Sequence, residues 1–502
     1  MRIPSTAEMR DPERSRFFHK LYSQRNNGNL AMARRSQRPK NNGEVPIVGI
    51  GASAGGLDAF RRFFQAMAVD SGMAFVLIQH LDPAHESLTA GLLARHTRMP
   101  MVQVQDRMWV EPNHVYVIPP NKYLTVVGNV LRLSEPVLVH GLRMSIDFFF
   151  QALARERREK AICIVLTGTG TDGTFGLRAV KGEGGLAMAQ SPETAQYGGM
   201  PNSAVATGLV DYVGPVEALS EKVLQYIRHA YVRAMDRPQT LLEEAPDDVR
   251  SILAVLHART RCDFRCYKKG TLMRRIARRM GVTQIDGLAD YLSYLREHSV
   301  EVTRLFKDLL IGVTGFFREP EAFKALEQAI VRLLENKEPG SPLRVWVPGC
   351  ASGEEPYSIA MTLIEQLQAA QKNCPLQVFA TDIDEEALAA ARAGIYPENI
   401  GADVAPERLQ QFFKKKGDSF EVSKALHESV LFAPQSLIAE APFSKLDLLS
   451  CRNLLIYLQP EVQRKLISLF HFALNQGASC FWAALRASDD GTTCLSRSPR
   501  NG

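Results

Sequence analysis

An α/β fold with doubly wound parallel sheets is the class this 502-residue sequence predicts, on three observations. Short apolar runs end in turns of small residues: IVGIGASAGG from Ile47, FVLIQHL from Phe75 and AICIVLTGTGTDG from Ala161. Amphipathic stretches such as LDAFRRFFQAM and MSIDFFFQALARERREK fall between or beside such runs and read as helices. The same strand–turn–helix grammar returns in LRVWVPGCASGEEPYSIAMTLIEQL, after a stretch that is helical in pattern throughout. A helical insert therefore separates two parallel-sheet units.

The first run sets the organisation of the first unit. Val45 to Ile50 is apolar enough for a buried strand, and the glycines after it force a tight turn around Ser53. The second run delivers His80 at its end, and the third delivers Asp172 in a Gly/Thr-rich loop. In open α/β sheets the carboxyl ends of strands are where ligands bind. Serine, histidine and aspartate at three such ends are the parts of a nucleophile, its base and the group that orients the base. A Gly-rich turn after a strand is also what a phosphate-cradling loop looks like, so the turn alone does not choose.

Residues 45–235 resemble the catalytic domain of chemotaxis protein-glutamate methylesterases of the CheB type. The resemblance is carried in order by GIGASAGG, LIQHLDP, VYVIPPN, MSIDFFFQALA, VLTGTGTDGTFGL, GGLAMAQSPETAQYGGMP and GLVDYV. It implies Ser53 as nucleophile, His80 as base and Asp172 as its partner, with backbone amides near Ala54 and Thr169 forming an oxyanion hole. It implies no metal and no cofactor for this half. The implied substrates are γ-glutamyl methyl esters, and glutamine amides, on chemoreceptor helices.

Composition bounds the rest. No apolar run reaches the roughly 18 residues needed to cross a bilayer, so direct membrane insertion is not expected. The eight cysteines are scattered without a CxxC pair, and no signal-peptide pattern opens the chain, which predicts reduced thiols in the cytoplasm. Residues 1–44 carry ten Lys/Arg against four Asp/Glu, which accounts for the whole net charge of +6. That leader, with RRSQRPKNN and little periodicity, reads as disordered, and a nucleic-acid site would need folded context around its charge. It is also too short for the phosphoacceptor receiver that many methylesterases of this type carry, so regulation through an attached receiver is not expected.

DRPQTLLEEAPDD marks a linker over 236–248. The helical stretch that follows, 249–318, contains GTLMRRIARRMGV, whose Arg274, Arg275, Arg278 and Arg279 share one helix face. Such a face suits either plain solvation or docking of an acidic partner. In 319–502, the turn with Gly349 and Gly353 leads straight into a helix, and LQVFATDID ends in Asp382. Small residues before a helix start, with an acid ending the next strand, describe a nucleoside-binding unit. NAD and S-adenosylmethionine both fit those features. Glu354 and Glu355 in the turn would repel a pyrophosphate and suit a cationic sulfonium, which favours the methyl donor over a dinucleotide oxidoreductase.

Residues 249–476 resemble chemotaxis receptor methyltransferases of the CheR type, through LMRRIARRM, VTGFFRE, GCASGEEPYSIAMTL, ATDID, AGIYPEN, PFSKLDLLSCRNLLIYL and LISLFHFAL. The resemblance implies an S-adenosylmethionine site lined by Thr314, Arg318, Glu355, Asp382, Ser436, Leu437, Arg452 and Asn453, with Tyr457 beside it on the substrate side. It also implies that the arginine-rich helix faces substrate. Ser436 stands where the family usually has an asparagine. From about 478 the chain departs from the family and reads SCFWAALRASDDGTTCLSRSPRNG, which predicts an atypical tail, absent final strands and an exposed sheet edge. The whole reads as a bifunctional receptor-modifying enzyme. Its alternative is an active esterase whose degenerate second half serves as a receptor-binding scaffold.

Overall fold

Ten strands build the first half of the molecule, in a computed structural model that describes residues 44–79, 89–136, 143–229, 245–417, 419–483 and 492–496. His80, the leader before Glu44 and most of the expected linker lie outside the described residues. The strands are β1 Ile47–Ala52, β2 Ala74–Gln79, β3 Met101–Gln103, β4 Met108–Trp109, β5 Val115–Val117, β6 Tyr123–Val127, β7 Val130–Ser134, β8 Ile162–Val165, β9 Leu186–Gln190 and β10 Tyr212–Gly214. Seven form a sheet in the order β10-β9-β8-β1-β2-β5-β3, parallel at every pairing, while β4, β7 and β6 make a small antiparallel sheet.

Both faces of the large sheet are covered, which is why its strands are apolar without alternation. Phe60, Phe63 and Phe64 of the helix Gly56–Ala66 pack with Val48, Ile50 and Phe75 on one face. Phe149, Phe150 and Leu153 of the helix Ser145–Arg157 pack with Ile47, Val76 and Cys163 on the other. The glycines of β1 belong to this second face. A Cβ at Gly49 would lie 2.9 Å from the Phe150 ring, and one at Gly51 would collide with Ile146. The strand spells IVGIGA because a helix rests directly on it.

Helices Pro246–Thr260, Lys269–Thr283, Leu288–Glu297 and Ser299–Leu310 follow, the first beginning inside the stretch expected to be linker. Ile252, Leu256, Met273, Ile276, Tyr291 and Leu305 form their core, which continues into Trp346, Leu446 and Leu449 of the next sheet. The second sheet uses β11 Leu343–Pro348, β12 Leu376–Asp382, β16 Val430–Pro434, β17 Leu446–Ser450, β18 Leu474–Ala483 and β19 Thr492–Ser496, in the order β16-β12-β11-β17-β18-β19. Strands β13 Ile395–Pro397, β14 Phe413–Lys416 and β15 Ser419–Val422 form a small antiparallel sheet.

Two expectations are corrected here. The atypical tail was expected to leave the sheet without its last strands. Instead β18 pairs Ser479, Cys480 and Phe481 with Leu448, Leu449 and Ser450, and β19 runs antiparallel to β18. SCFWA is a short apolar run of strand length, and pairing it satisfies the edge of β17.

The arginine-rich face was expected to meet either solvent or an outside substrate. Arg275, Arg278 and Arg279 are instead 7 %, 1 % and 2 % exposed, because this face packs on the first α/β domain. Arg275 donates to the carbonyls of Lys181 (3.3 Å) and Gly182 (2.9 Å), at the carboxyl end of the helix Thr174–Glu183, where a cation meets the negative pole of the helix. Arg278 donates to the Gly185 carbonyl (3.1 Å) and bonds both Asp211 and Asp308. Lys181 reaches the same two carboxylates at 2.8 and 3.0 Å, and Arg279 holds Glu301 through two bonds of 2.8 and 2.6 Å. Arg274 alone of the four is partly exposed, 3.9 Å from Glu159.

Candidate active sites

The first site forms where β8, β1 and β2 end side by side. Register places Val165 beside Gly51, and Gln79 beside Ala52. Ser53 follows Ala52 directly, partly buried, and its N–H donates to the Thr167 carbonyl at 3.0 Å. That bond ties the serine turn to the loop after β8. Gly168 of this loop presses on the serine: a Cβ there would lie 2.9 Å from Ser53 Cβ and would collide with Met200. His80, one residue beyond Gln79, lies outside the described residues.

Asp172 is buried at the end of the same loop. Its Oδ2 accepts from Ile146 N–H (3.0 Å), and its Oδ1 from Asp147 N–H (2.9 Å) and Gly173 N–H (2.8 Å). Ile146 and Asp147 belong to the first turn of the helix Ser145–Arg157, so the carboxylate sits where a helix best stabilises negative charge. Ala54 and Thr169 flank the serine turn and the loop. The Ala54 carbonyl accepts from Thr167 Oγ1 at 3.1 Å, and among the described residues neither Ala54 N–H nor Thr169 N–H donates to a protein acceptor. A cavity of about 290 Å³ opens beside the turn, lined by Gly55, Arg62, Thr167, Gln190 and Gln196 among others.

The sequence reasoning missed Asp147. Its side chain is buried and accepts from Gly176 N–H at 2.6 Å. Burial, and then the charge of Asp172, push its carboxyl well above the ordinary carboxylate range. The available signal was an acid inside the apolar run MSIDFFF.

The second site lies where the chain leaves β11 toward β12 and later returns to β17 on the other side, the switch point at which such sheets open a crevice. Gly349 and Cys350 both donate to the Thr381 carbonyl, at 2.7 and 3.0 Å, which fastens the turn to the end of β12. Ala351 follows in the left-handed region with φ 45°, and its N–H donates to Asp382 Oδ2 at 2.8 Å. Asp382 Oδ1 accepts from Ile383 and Asp384 N–H at 2.7 and 3.0 Å, yet burial still raises its pKa.

Arg452 gathers the remaining groups. Its side chain is fully buried and donates to the Arg318 carbonyl (2.8 Å) and to Glu319 (3.0 Å), lying 3.7 Å from Glu355. Glu355 accepts from Ser450 Oγ at 2.7 Å, and burial raises its pKa against the pull of Arg452. Arg318 is exposed and its guanidinium donates to the Val313 carbonyl at 2.7 Å, bracketing the partly buried Thr314. Ser436 lies two residues beyond β16, its N–H donating to Glu440 (3.0 Å) and its hydroxyl accepting from Ala439 N–H (3.3 Å). Leu437 packs on the helical core, and Asn453 holds a left-handed φ of 56°. The Tyr457 carbonyl accepts from Lys268 N–H at 2.8 Å, linking this loop to the start of the arginine-rich helix. Among the described residues, Arg274, Arg275, Arg278 and Arg279 are not part of this crevice's hydrogen-bonded network. A crevice walled by small residues, with carboxylates at Asp382 and Glu355, fits a ligand that carries hydroxyls and a positive charge.

Comparison with known proteins matches these domains in order. Residues 48–223 match the CheB methylesterase family, 247–310 the all-alpha domain of CheR methyltransferase, and 312–482 the CheR methyltransferase SAM binding domain. An uncharacterized 104.1 kDa protein of Rhodobacter capsulatus is 37 % identical over 413 residues, covering 78 % of this chain and 43 % of that protein. A protein-glutamate methylesterase/protein-glutamine glutaminase of Rhizobium meliloti is 34 % identical, covering 39 % of this chain and 56 % of its own length. The chain thus spans about half the length of these two relatives. The chemotaxis protein methyltransferase of Escherichia coli is 32 % identical, covering 44 % of this chain and 77 % of that enzyme. No helix among the described residues is long and apolar enough to cross a membrane. The chain belongs to the chemotaxis methylation enzymes, with a CheB methylesterase domain followed by the all-alpha and S-adenosylmethionine-binding domains of a CheR methyltransferase.

Proposed function

We propose that the two sites run opposing reactions on glutamate side chains of cytoplasmic chemoreceptor domains. In the first, the Ser53 hydroxyl attacks the ester carbonyl while His80 takes its proton, and Asp172 fixes the imidazole. Amides of Ala54 and Thr169 hold the oxyanion. His80 returns the proton to the departing methoxide, methanol leaves, and water cleaves the acyl-enzyme by the same steps. Glutamine amides would follow this course with ammonia as the leaving group. The observation that carries the reading is the fixed Asp172 carboxylate at the end of the loop after β8, the loop that the Ser53 N–H bonds through the Thr167 carbonyl.

In the second site, Thr314, Arg318, Glu355, Asp382, Ser436, Leu437, Arg452 and Asn453 would hold S-adenosylmethionine, which supplies an electrophilic methyl group. Asp382, at the end of β12, would accept from sugar hydroxyls through the lone pairs its backbone donors leave, and Glu355 would supply negative charge balanced by Arg452. Tyr457 would border the incoming glutamate, whose carboxylate is already a sufficient nucleophile once aligned.

The test incubates the protein with methyl-labelled S-adenosylmethionine and receptor cytoplasmic fragments, comparing wild type with Ser53→Ala. Label should persist on the receptor in the variant and leave as methanol with wild type, the hydrolysis rate falling by roughly 10³-fold or more in the variant. Unchanged methanol release in Ser53→Ala refutes the esterase assignment. Absence of label from both proteins refutes the transferase assignment for that receptor.

A further inference from the structure

We propose that Arg178, a residue of the esterase domain, is a positioning residue for the cofactor turn of the methyltransferase domain. The inference rests on the reading of Gly349–Glu355 as the turn that holds S-adenosylmethionine. It adds that the turn's shape, and hence cofactor affinity, depends on the neighbouring enzyme.

Arg178 lies on the helix Thr174–Glu183, which starts immediately after Asp172 and Gly173. Its Nη1 donates to Glu354 Oε1 at 3.0 Å, the two side chains being 18 % and 2 % exposed. Glu354 is the first residue of the helix that follows the turn, and its other oxygen accepts from Ser352 Oγ at 2.7 Å. The Ser352 carbonyl accepts from Tyr396 OH at 2.7 Å. Between these anchors Ala351 is held left-handed, a conformation that an alanine keeps only when its surroundings impose it. Asp382, Tyr396 and Glu354 impose it. Glu354 is a buried anion, and Arg178 is the cation bonded to it among the described residues.

The reach of Arg178 is set by docking along its helix. Phe175 packs against the transferase core. A Cβ at Gly182 would lie 2.9 Å from Val313, and Arg275 holds the carbonyls at the far end. One esterase helix is therefore clasped from end to end by the second enzyme, with Arg178 at the cofactor turn.

The experiment measures S-adenosylhomocysteine binding by titration calorimetry on the full chain. Arg178→Met keeps the aliphatic stem and leaves Glu354 unpaired, and Kd should rise about tenfold or more. Arg178→Lys should recover part of that loss. Arg178→Met combined with Glu354→Gln should bind no worse than the worse single variant, because both break one contact. Arg275→Met loosens the same docking without touching the turn and should leave Kd within about threefold. Binding by Arg178→Met within twofold of wild type overturns the proposal, as does an equal loss in Arg275→Met. A wild type that binds no S-adenosylhomocysteine refutes the cofactor reading itself, a result distinct from either.

Discussion

Replacing Arg278 with methionine removes one of the cations that bridge the two halves. Its guanidinium bonds Asp211 of the esterase domain and Asp308 of the helical domain, and all three side chains are buried. Within the network Lys181, Arg278 and Arg279 balance Asp211, Asp308 and Glu301. Without Arg278, two buried carboxylates share Lys181, with Arg279 no closer than 3.8 Å to Asp211, and the Gly185 carbonyl loses a donor. Breaking a buried ion pair from one side costs about 3–5 kcal/mol. Calorimetric melting should therefore shift down on the order of 10 °C for domains of this size. The acid limb gives a second reading. Burial alone would raise the carboxyls of Asp211 and Asp308, but Arg278 and Lys181 outweigh it and hold both below the ordinary range. Such groups contribute stability that is full above the unfolded value near 3.9 and is lost as pH falls through the lower folded values. Wild type should hold this contribution at pH 5 and lose it as pH falls well below 4, whereas Arg278→Met, whose carboxyls burial pushes back up, has less to lose, so its melting deficit should shrink as pH falls. A melting shift under about 2 °C, or an unchanged acid limb, refutes the account.

Asp147→Asn probes the carboxyl next to Asp172. Because its folded pKa is raised, wild-type Asp147 contributes stability that is full below about pH 3.9 and drains as pH rises toward the folded value. Asparagine does not ionise, so the melting advantage of Asp147→Asn over wild type should grow from pH 4 to pH 8, and a flat difference would sink the reasoning. Gly168→Ala drives a methyl toward Ser53 and Met200. It should cost about 1–3 kcal/mol of stability and, by displacing the serine turn, lower ester hydrolysis on the order of 100-fold. An alanine variant with wild-type melting and turnover would show that the loop has room.

Much of this was legible because local chemistry and global fold agree. IVGIGA, FVLIQ and AICIV are strands by composition, the first two stopping one residue short of Ser53 and His80 and the third leading into the loop that carries Asp172, though nothing local says that β8 comes to lie beside β1 across more than a hundred residues. GCASGEEPYS announced its turn through small residues, and Asp382 its place at a strand end. The arginine-rich helix was legible only as a face. Spacing put Arg274, Arg275, Arg278 and Arg279 together, but what covers them comes from Lys181, Gly185 and Asp211, far upstream. Periodicity records which residues share a side and is silent on what the side meets. The last strands were misjudged for a related reason: SCFWA is short, and the polar residues after it masked a run that pairs with β17.

A charged interface between the halves has a physical consequence that an apolar one would lack. Buried ion pairs add little net stability, since desolvation cancels most of the attraction, but they punish misalignment heavily. Arg278 needs Asp211 and Asp308 together, Lys181 needs the same two, and Arg275 needs carbonyls at one particular helix end. A rotated or slipped docking would strand several buried charges at once, so the network selects one registry. Midway along the same helix the Arg178–Glu354 bond, 3.0 Å long, depends on that registry. The arginines that sequence spacing put on one face, and that the family resemblance turned toward an outside substrate, thus fix the angle at which Arg178 reaches the turn before the helix Glu354–Ala369.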